Sequence, residues 1–150
     1  MTGNSKLVTV FGGQYGSEGK GQIASYLHQR QPFDIAVRVG GPNAGHTFYY
    51  PNGRREVVQS VPVPAMLGAQ GVIGAAGLII PELLGAELMR GCRYLGAPVR
   101  LIVDSNAAVI SAKHMSEEKE LKTRIGSTGE GVGRATADKV MRDPVVPVSK

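Results

Sequence analysis

Three stretches of this sequence set chemistry-bearing side chains among glycines. The first runs Gly12-Gly13-Gln14-Tyr15-Gly16-Ser17-Glu18-Gly19-Lys20-Gly21-Gln22. A glycine loop leading from a strand into a helix turns backbone N–H groups and the positive helix end toward a phosphate, and Lys20 adds a mobile cation. The spacing is not that of the standard phosphate loop. Five residues rather than four separate Gly13 from Gly19, and Gly21, not a magnesium-holding Ser or Thr, follows Lys20. Taken alone, such a loop can also be only a tight turn. The second stretch, Gly40-Gly41-Pro42-Asn43-Ala44-Gly45-His46-Thr47, carries a histidine. With a pKa near neutrality, histidine can act as a general acid or donate a hydrogen bond to developing negative charge. A lone histidine is more often structural. The expected position of His46, beyond a strand end beside the first loop, favours function, because open α/β sheets bind ligands outside their strand carboxyl ends. The third stretch, residues 126–133, offers the hydroxyls of Ser127 and Thr128 and close-approach amides to a second phosphate, a weak signal by itself.

The elements that must position these loops follow from hydrophobic period. Residues 6–11 (Lys-Leu-Val-Thr-Val-Phe) read as a buried strand, residues 20–31 as a helix closed by Pro32, and residues 34–39 as a second strand. Together they predict a right-handed β-α-β unit. Residues 48–50 and 56–59 flank Pro51-Asn52-Gly53 and predict a hairpin. Residues 72–80 read as a strand, 81–95 as a helix with proline in its first turn, 99–104 as a strand and 108–123 as a charged, exposed helix. The expected fold class is α/β, a largely parallel sheet with flanking helices and a β-hairpin. No internal repeat or linker divides the chain, so residues 1–150 are expected to form part of one nucleotide-binding domain.

Composition narrows the partners. A length of 150 residues with 42% hydrophobic content suits a single core. The 21 glycines follow no three-residue period, which excludes collagen. The net charge of +5 can attract polyanions, yet the cations are dispersed, tryptophan is absent and aromatics are 5%. That pattern lacks the stacking platform of a single-strand binder, so a small phosphorylated ligand is expected and nucleic acid is not. Residues 71–80, the longest weakly polar run, fall short of the roughly 20 residues a membrane span needs, and the first six residues hold no apolar signal core. Cys92, the one cysteine, makes neither an internal disulfide nor a Cys-based zinc site. A cytoplasmic location without membrane association is the expectation.

Taken together, the three loops resemble a known family. Gly-Gln-Tyr-Gly-Ser-Glu-Gly-Lys-Gly is similar to the opening Gly-Gln-Trp-Gly-Asp-Glu-Gly-Lys-Gly of adenylosuccinate synthetases. Gly-Gly-Pro-Asn-Ala-Gly-His-Thr resembles their next motif, and Gly-Ser-Thr-Gly-Glu-Gly-Val-Gly their Gly-Thr-Thr-Gly-Arg-Gly-Ile-Gly. Asp138-Lys139-Val140 through Arg142 fits the segment that follows. Family members are much longer, so the chain looks like an N-terminal portion. The resemblance implies a ligase that uses magnesium and a nucleoside triphosphate to phosphorylate the 6-oxygen of a purine monophosphate, after which the amine of L-aspartate displaces that phosphate. It implies that Lys20 and the loop Gly16, Ser17, Glu18, Gly19 and Gly21 hold the transferred phosphoryl group, and that His46, next to Thr47 in the nucleotide site, stabilises charge on its oxygens. It further implies a Gly45 carbonyl on magnesium, Asn43 and Thr128 at the acceptor nucleotide, and Arg142 reaching the nucleotide phosphate of the other subunit in a homodimer.

The departures are informative. Ser17 stands where the family has an aspartate that removes the purine N1 proton and helps bind magnesium, and a hydroxyl does neither well. N1 and C2 are adjacent ring atoms, so a smaller, uncharged side chain able to accept from a 2-amino group suits a guanine-type acceptor better than hypoxanthine. The loop also looks like that of the phage and archaeal 2-aminoadenylosuccinate synthetases, which act on deoxyguanylate. Glu130 replaces an arginine, Arg134 a proline and Tyr15 a tryptophan. The expectation is a ligase joining aspartate to dGMP, with Ser17, Lys20 and His46 as catalytic residues, Ser17 and Gly45 near the metal, and ATP, dATP or GTP as donor. An ordinary adenylosuccinate synthetase acting on IMP, a noncatalytic nucleotide-binding or dimerisation fragment, and a general NTPase are the alternatives. The aspartate loop and the triphosphate-base site are expected farther along the family's length, in which case a separate polypeptide can supply them.

Overall fold

The computed structural model describes residues 6–14, 16–125 and 128–141, and the side chains of all of these except 120–125. Helix α1 (Lys20–Arg30) begins at Gly19, whose φ of 69° is left-handed, and ends at Gln31, one residue before the helix-breaking Pro32. Strand β1 (Ile35–Arg38) follows, then the antiparallel hairpin of β2 (His46–Tyr49) and β3 (Arg55–Val58), with Phe48 opposite Glu56. Its turn is the Asn-Gly turn read from the sequence: Gly53 has φ 81°, and the Asn52 side chain accepts from the Arg54 N–H at 3.0 Å. A 3₁₀ turn (Val63–Leu67) leads into β4 (Gln70–Ile73) and β5 (Leu78–Ile79). Helix α2 (Pro81–Leu95) has the bounds that its period and leading proline predict, and β6 (Leu101–Val103), β7 (Ala108–Val109), α3 (Ala112–Ile125) and α4 (Val132–Met141) complete the order.

Strands β1, β4 and β6 form a parallel sheet in that order, with Val37, Val72 and Ile102 in one row across it. Strands β5 and β7 pair in parallel as a second, smaller sheet. The α/β class with a largely parallel arrangement is therefore present. Its main core gathers Phe48, Val58, Val61, Met66 and Ile73 from the hairpin, the 3₁₀ turn and β4, with Leu84 from α2 against them. A second cluster of Leu78, Ala108, Ile110 and Ala135 sits under α4. Helices α3 and α4 are joined by His114 Nε2 to Asp138 at 3.2 Å and Arg134 Nε to Glu117 at 2.8 Å.

Three expectations need correction. Residues 6–12 form no strand, and Leu7 and Phe11 are 90% and 82% exposed, so the buried first strand and its β-α-β unit are absent among the described residues. An apolar run becomes a strand only when a neighbouring edge accepts its hydrogen bonds, and β1 is paired only with β4. The single strand expected over residues 72–80 is two strands in different sheets. A tight turn, closed by the Gly77 N–H on the Gly74 carbonyl at 2.7 Å, separates them. The helix expected from residue 108 starts four residues later, because residues 108–109 belong to β7. Among the described residues no helix is long and apolar enough to cross a membrane.

Candidate functional site

The first glycine loop owes its shape to backbone that most residues avoid. Gly16 has φ 116°, Gly19 69°, and between them Ser17 has φ 54°, the positive-φ residue among the described non-glycines. The loop closes on itself through Glu18, whose Oε1 accepts the Gln14 N–H at 2.7 Å while Oε2 is paired with Lys20 Nζ. Lys20, then the Gln14 amide, hold the Glu18 carboxyl below its ordinary pKa. Lys20 is thus paired in place at the start of α1, where the unpaired helix N–H groups add positive potential. The Ser17 side chain is exposed, with no hydrogen bond to a described residue.

The second loop is brought to the first by close backbone approach. A side chain on Gly21 would place Cβ 2.6 Å from the Thr47 carbonyl oxygen and 2.9 Å from His46 Cβ, so only glycine lets α1 abut the start of β2. His46 therefore lies against the base of the phosphate loop. Burial, then the charges of Arg38 and Lys20, push its pKa down from 6.5 to about 4. The ring is neutral at pH 7, a correction to the near-neutral titration read from the sequence. A neutral imidazole still donates one N–H to an anionic oxygen. The third loop meets the second at Gly41, where an added Cβ would lie 2.8 and 2.9 Å from the methyl groups of Val132, the first residue of α4.

Groups that the sequence reading missed hold the second loop from behind. Arg38 Nη2 donates to the Gly41 carbonyl at 3.2 Å and the Ala44 carbonyl at 3.3 Å, and Gln59 Nε2 donates to the Pro42 carbonyl at 2.6 Å. Gln59 is itself set by Glu87 of α2, 1% exposed, whose carboxylate accepts the N–H groups of Gln59 (2.6 Å), Ser60 (3.0 Å) and Val61 (2.8 Å). The available signals were a charge inside the apolar run 35–39, two residues before a pair of glycines, and a carboxylate at the same helical spacing as the buried Leu84 and Gly91.

The structure thus brings Glu18, Lys20, Gly21, His46 and Thr47 together, with Gly16, Ser17 and Gly19 in the same loop. Asn43 and Gly45 are exposed on the braced second loop, and Thr128 is exposed at the edge of the third. Arg142, Tyr15 and Ser127 lie outside the described residues. Among the described residues no three His, Cys, Asp or Glu side chains cluster as a metal site. The Ser17 hydroxyl and Gly45 carbonyl are hard oxygen donors but uncharged, and magnesium is usually held through one or two carboxylates together with substrate phosphates. These residues alone do not fit a magnesium site.

An α/β unit in which glycine loops converge on a helix N-terminus, a lysine and a neutral histidine offers the donors that a phosphate group requires. The comparisons with known proteins agree in kind and narrow the class. The adenylosuccinate synthetase model matches residues 9–146, and the chain belongs to that family. It is 34% identical over 148 residues to the N6-succino-2-amino-2'-deoxyadenylate synthase of Salmonella phage PMBT28, covering 96% of this chain and 40% of the relative. It is 39% identical over 140 residues to the adenylosuccinate synthetase of Pyrococcus horikoshii, covering 90% and 41%. Among solved structures, the cyanophage S-2L succinoaminodeoxyadenylate synthetase bound to dGMP and dATP matches with TM-score 0.78 and 30% identity over 91% of this chain and 39% of that one. The Plasmodium falciparum adenylosuccinate synthetase matches with TM-score 0.77 and 26% identity over 90% and 32%. These relatives are synthetases, that is, ligases, and the chain spans about two fifths of the length of the curated ones.

Proposed function

We propose that the protein carries the phosphate-handling part of a ligase that joins L-aspartate to C6 of a purine monophosphate, with dGMP the favoured acceptor. The observation that carries the acceptor assignment is Ser17: a small, uncharged side chain stands exposed in the phosphate loop where the resembling family has a carboxylate. A phage relative and a dGMP-bound cyanophage neighbour support the same choice. In this reading Lys20 and the amides around Gly16, Glu18, Gly19 and Gly21 draw the γ-phosphoryl group of ATP, dATP or GTP, and the neutral His46 donates its N–H to the same oxygens. Magnesium would be held by the triphosphate oxygens rather than by these residues alone, and would supply charge neutralisation there. The terminal P–O bond of the triphosphate breaks, the nucleoside diphosphate leaves, and the phosphoryl group passes to the purine 6-oxygen as the N1 proton goes to water. The aspartate amine then attacks C6, the C–N bond forms, the C6–O bond breaks with loss of inorganic phosphate, and the amine proton goes to water. Asn43 and Thr128 address the acceptor, Thr47 lies in the nucleotide site, and Arg142 serves the other site of a homodimer. The cytoplasm is the proposed location, that of the host if the chain is phage-encoded.

The test incubates the chain, alone and with the complementary portion of the Salmonella phage relative, with magnesium, aspartate, ATP, dATP and GTP, offers dGMP and IMP together, and identifies succinylated nucleotides by mass spectrometry. Product from dGMP is expected with the complementary portion present and little without it; product from IMP alone refutes the acceptor. Ser17→Asp, tolerated by the left-handed backbone, should shift preference toward IMP by at least about tenfold, the size of one lost or gained polar contact. Unchanged preference removes Ser17 from the specificity argument. Nucleotide binding without product in every mixture favours the noncatalytic reading.

A further inference from the structure

The described part of the third glycine loop, residues 128–131, leads into α4 and is seated on the start of α3. Gly131 is buried at φ 78°, and an added Cβ would lie 2.9 Å from the Met115 nitrogen and 3.1 Å from the His114 carbonyl carbon. One residue on, the Val132 methyl groups close on Gly41 of the second loop. Any slip of α4 against α3 is therefore passed to both loops. At this seat the His114 side chain, 6% exposed, is bonded on both sides. Its Nδ1 accepts the N–H of Ser111, the residue before α3, at 3.0 Å and lies 3.2 Å from the Ser111 hydroxyl. This is a capping box with an imidazole in the place usual for Glu or Gln. A backbone N–H can only donate, so Nδ1 carries no proton; the ring proton sits on Nε2, which donates to Asp138 Oδ2 of α4 at 3.2 Å. With Nδ1 engaged by that N–H, the ring is not free to take the Ser111 hydroxyl proton, so the three residues do not make an activated nucleophile.

We infer that His114 is a positioning residue for the acceptor side of the site: by spanning the Ser111 cap and Asp138 it fixes α4 against α3, and so sets the third loop, with Thr128, against the second. A second bridge between the helices, Arg134 to Glu117, does not do this equally well. Its side chains are 42% and 33% exposed, where water screens an ion pair, against 7% and 16% for His114 and Asp138. A hydrogen bond to a carboxylate in that drier setting is the stronger of the two. The imidazole is also the group that serves both ends at once. Its two ring nitrogens act in opposite senses on opposite edges of a rigid plane, so the cap of α3 and the distance to α4 are set together. The tie to the acceptor rests on the role proposed for Thr128, whereas the setting of the loop does not.

The experiment uses NMR on the nitrogen-15-labelled chain. The His114 ring should show an unprotonated Nδ1 and a protonated Nε2 at pH 7. Asp138→Ala should speed amide exchange at Gly131 and at Ala135, whose N–H closes the first turn of α4 on the Gly131 carbonyl at 3.0 Å, by at least about tenfold. Exchange at Gly53 in the hairpin and Gly96 at the end of α2 should stay within about twofold of the parent. Asp138→Asn still offers an oxygen to Nε2 and should restore the loop to within about threefold, and Glu117→Ala, which breaks the exposed bridge, should leave it within about twofold. If Asp138→Ala does not fold, His114→Asn, which keeps an oxygen for the Ser111 N–H but cannot reach Asp138, replaces it with the same expectation. A proton on Nδ1, parent-like loop exchange in Asp138→Ala, an equal rise at Gly53 and Gly96, or Asp138→Asn no better than Asp138→Ala overturns the inference. A titration with dGMP is then read on the same samples, and Asp138→Ala should weaken its binding by at least about tenfold. Faster loop exchange with unchanged dGMP binding keeps the positioning role and refutes the acceptor role of Thr128, so the two failures are distinguishable.

Discussion

Replacing Gly21 by alanine tests the contact that sets the site. Alanine in the first turn of α1 should by propensity gain somewhat less than about 1 kcal/mol over glycine. Against this, its Cβ would sit 2.6 Å from the Thr47 carbonyl oxygen and 2.9 Å from His46 Cβ, where ordinary contact begins at 3.4 Å. The first of these is backbone, which cannot rotate aside, so α1 and β2 must part by most of that difference. Overpacking of this kind costs about 1–3 kcal/mol, and an unyielding neighbour places it in the upper half. The net expectation is a loss of about 2 kcal/mol, or roughly 4–8 °C in melting temperature for a domain of this size. Gly85→Ala in α2 is the matched control, because nothing lies within 4 Å of its added Cβ, and it should stabilise by up to about 1 kcal/mol. Urea unfolding followed by circular dichroism reads both. If Gly21→Ala is as stable as the parent while Gly85→Ala behaves as stated, the close approach of α1 to β2 is wrong and His46 is not held at the phosphate loop.

The remaining predictions concern the histidine and its supports. The His46 ring should titrate near pH 4 by NMR. Since the unfolded ring titrates at 6.5, the unfolded state binds the extra proton between those values; the stability tied to a neutral His46 is complete above pH 6.5 and is lost as pH falls to about 4. The full shift corresponds to at most about 3 kcal/mol, which solvent screening at a half-buried ring reduces to about 2. Urea midpoints at pH 7 and 4.5 should differ less in His46→Gln than in the parent, and an equal difference refutes the assignment. Glu87→Ala strips the acceptor from three buried backbone N–H groups and should cost about 3–5 kcal/mol, with Glu87→Gln in between. A loss under about 1 kcal/mol would mean that water replaces the carboxylate without consequence.

The parts of the fold legible in the sequence are those fixed by local chemistry. Pro81 starts α2, Asn52-Gly53 turns the hairpin, and the period through Ala24 and Leu27 marks α1. Pairing was not legible. Residues 6–11 have the composition of a buried strand but lack a described partner, and residues 72–80 are apolar throughout although a turn of four residues sends their halves to different sheets. At the site, the glycines, Lys20 and His46 could be read because their types and spacing are unusual. The supports could not be singled out: Arg38, Gln59 and Glu87 act through backbone carbonyls and amides, which any sequence supplies.

The left-handed backbone at Ser17 also has an evolutionary side. A position at φ 54° admits a short alphabet: glycine, asparagine, aspartate and, less comfortably, serine, while β-branched and bulky residues are strained there. Aspartate, asparagine and serine are joined by successive single-base codon changes, and none of the three asks the loop to change course. A lineage can therefore cross between a charged and an uncharged loop, through an amide intermediate, without remodelling the neighbouring lysine, histidine or glycines. The backbone acts as a filter on drift, closing most mutational exits from this position and leaving open the few that exchange one hydrogen-bonding character for another.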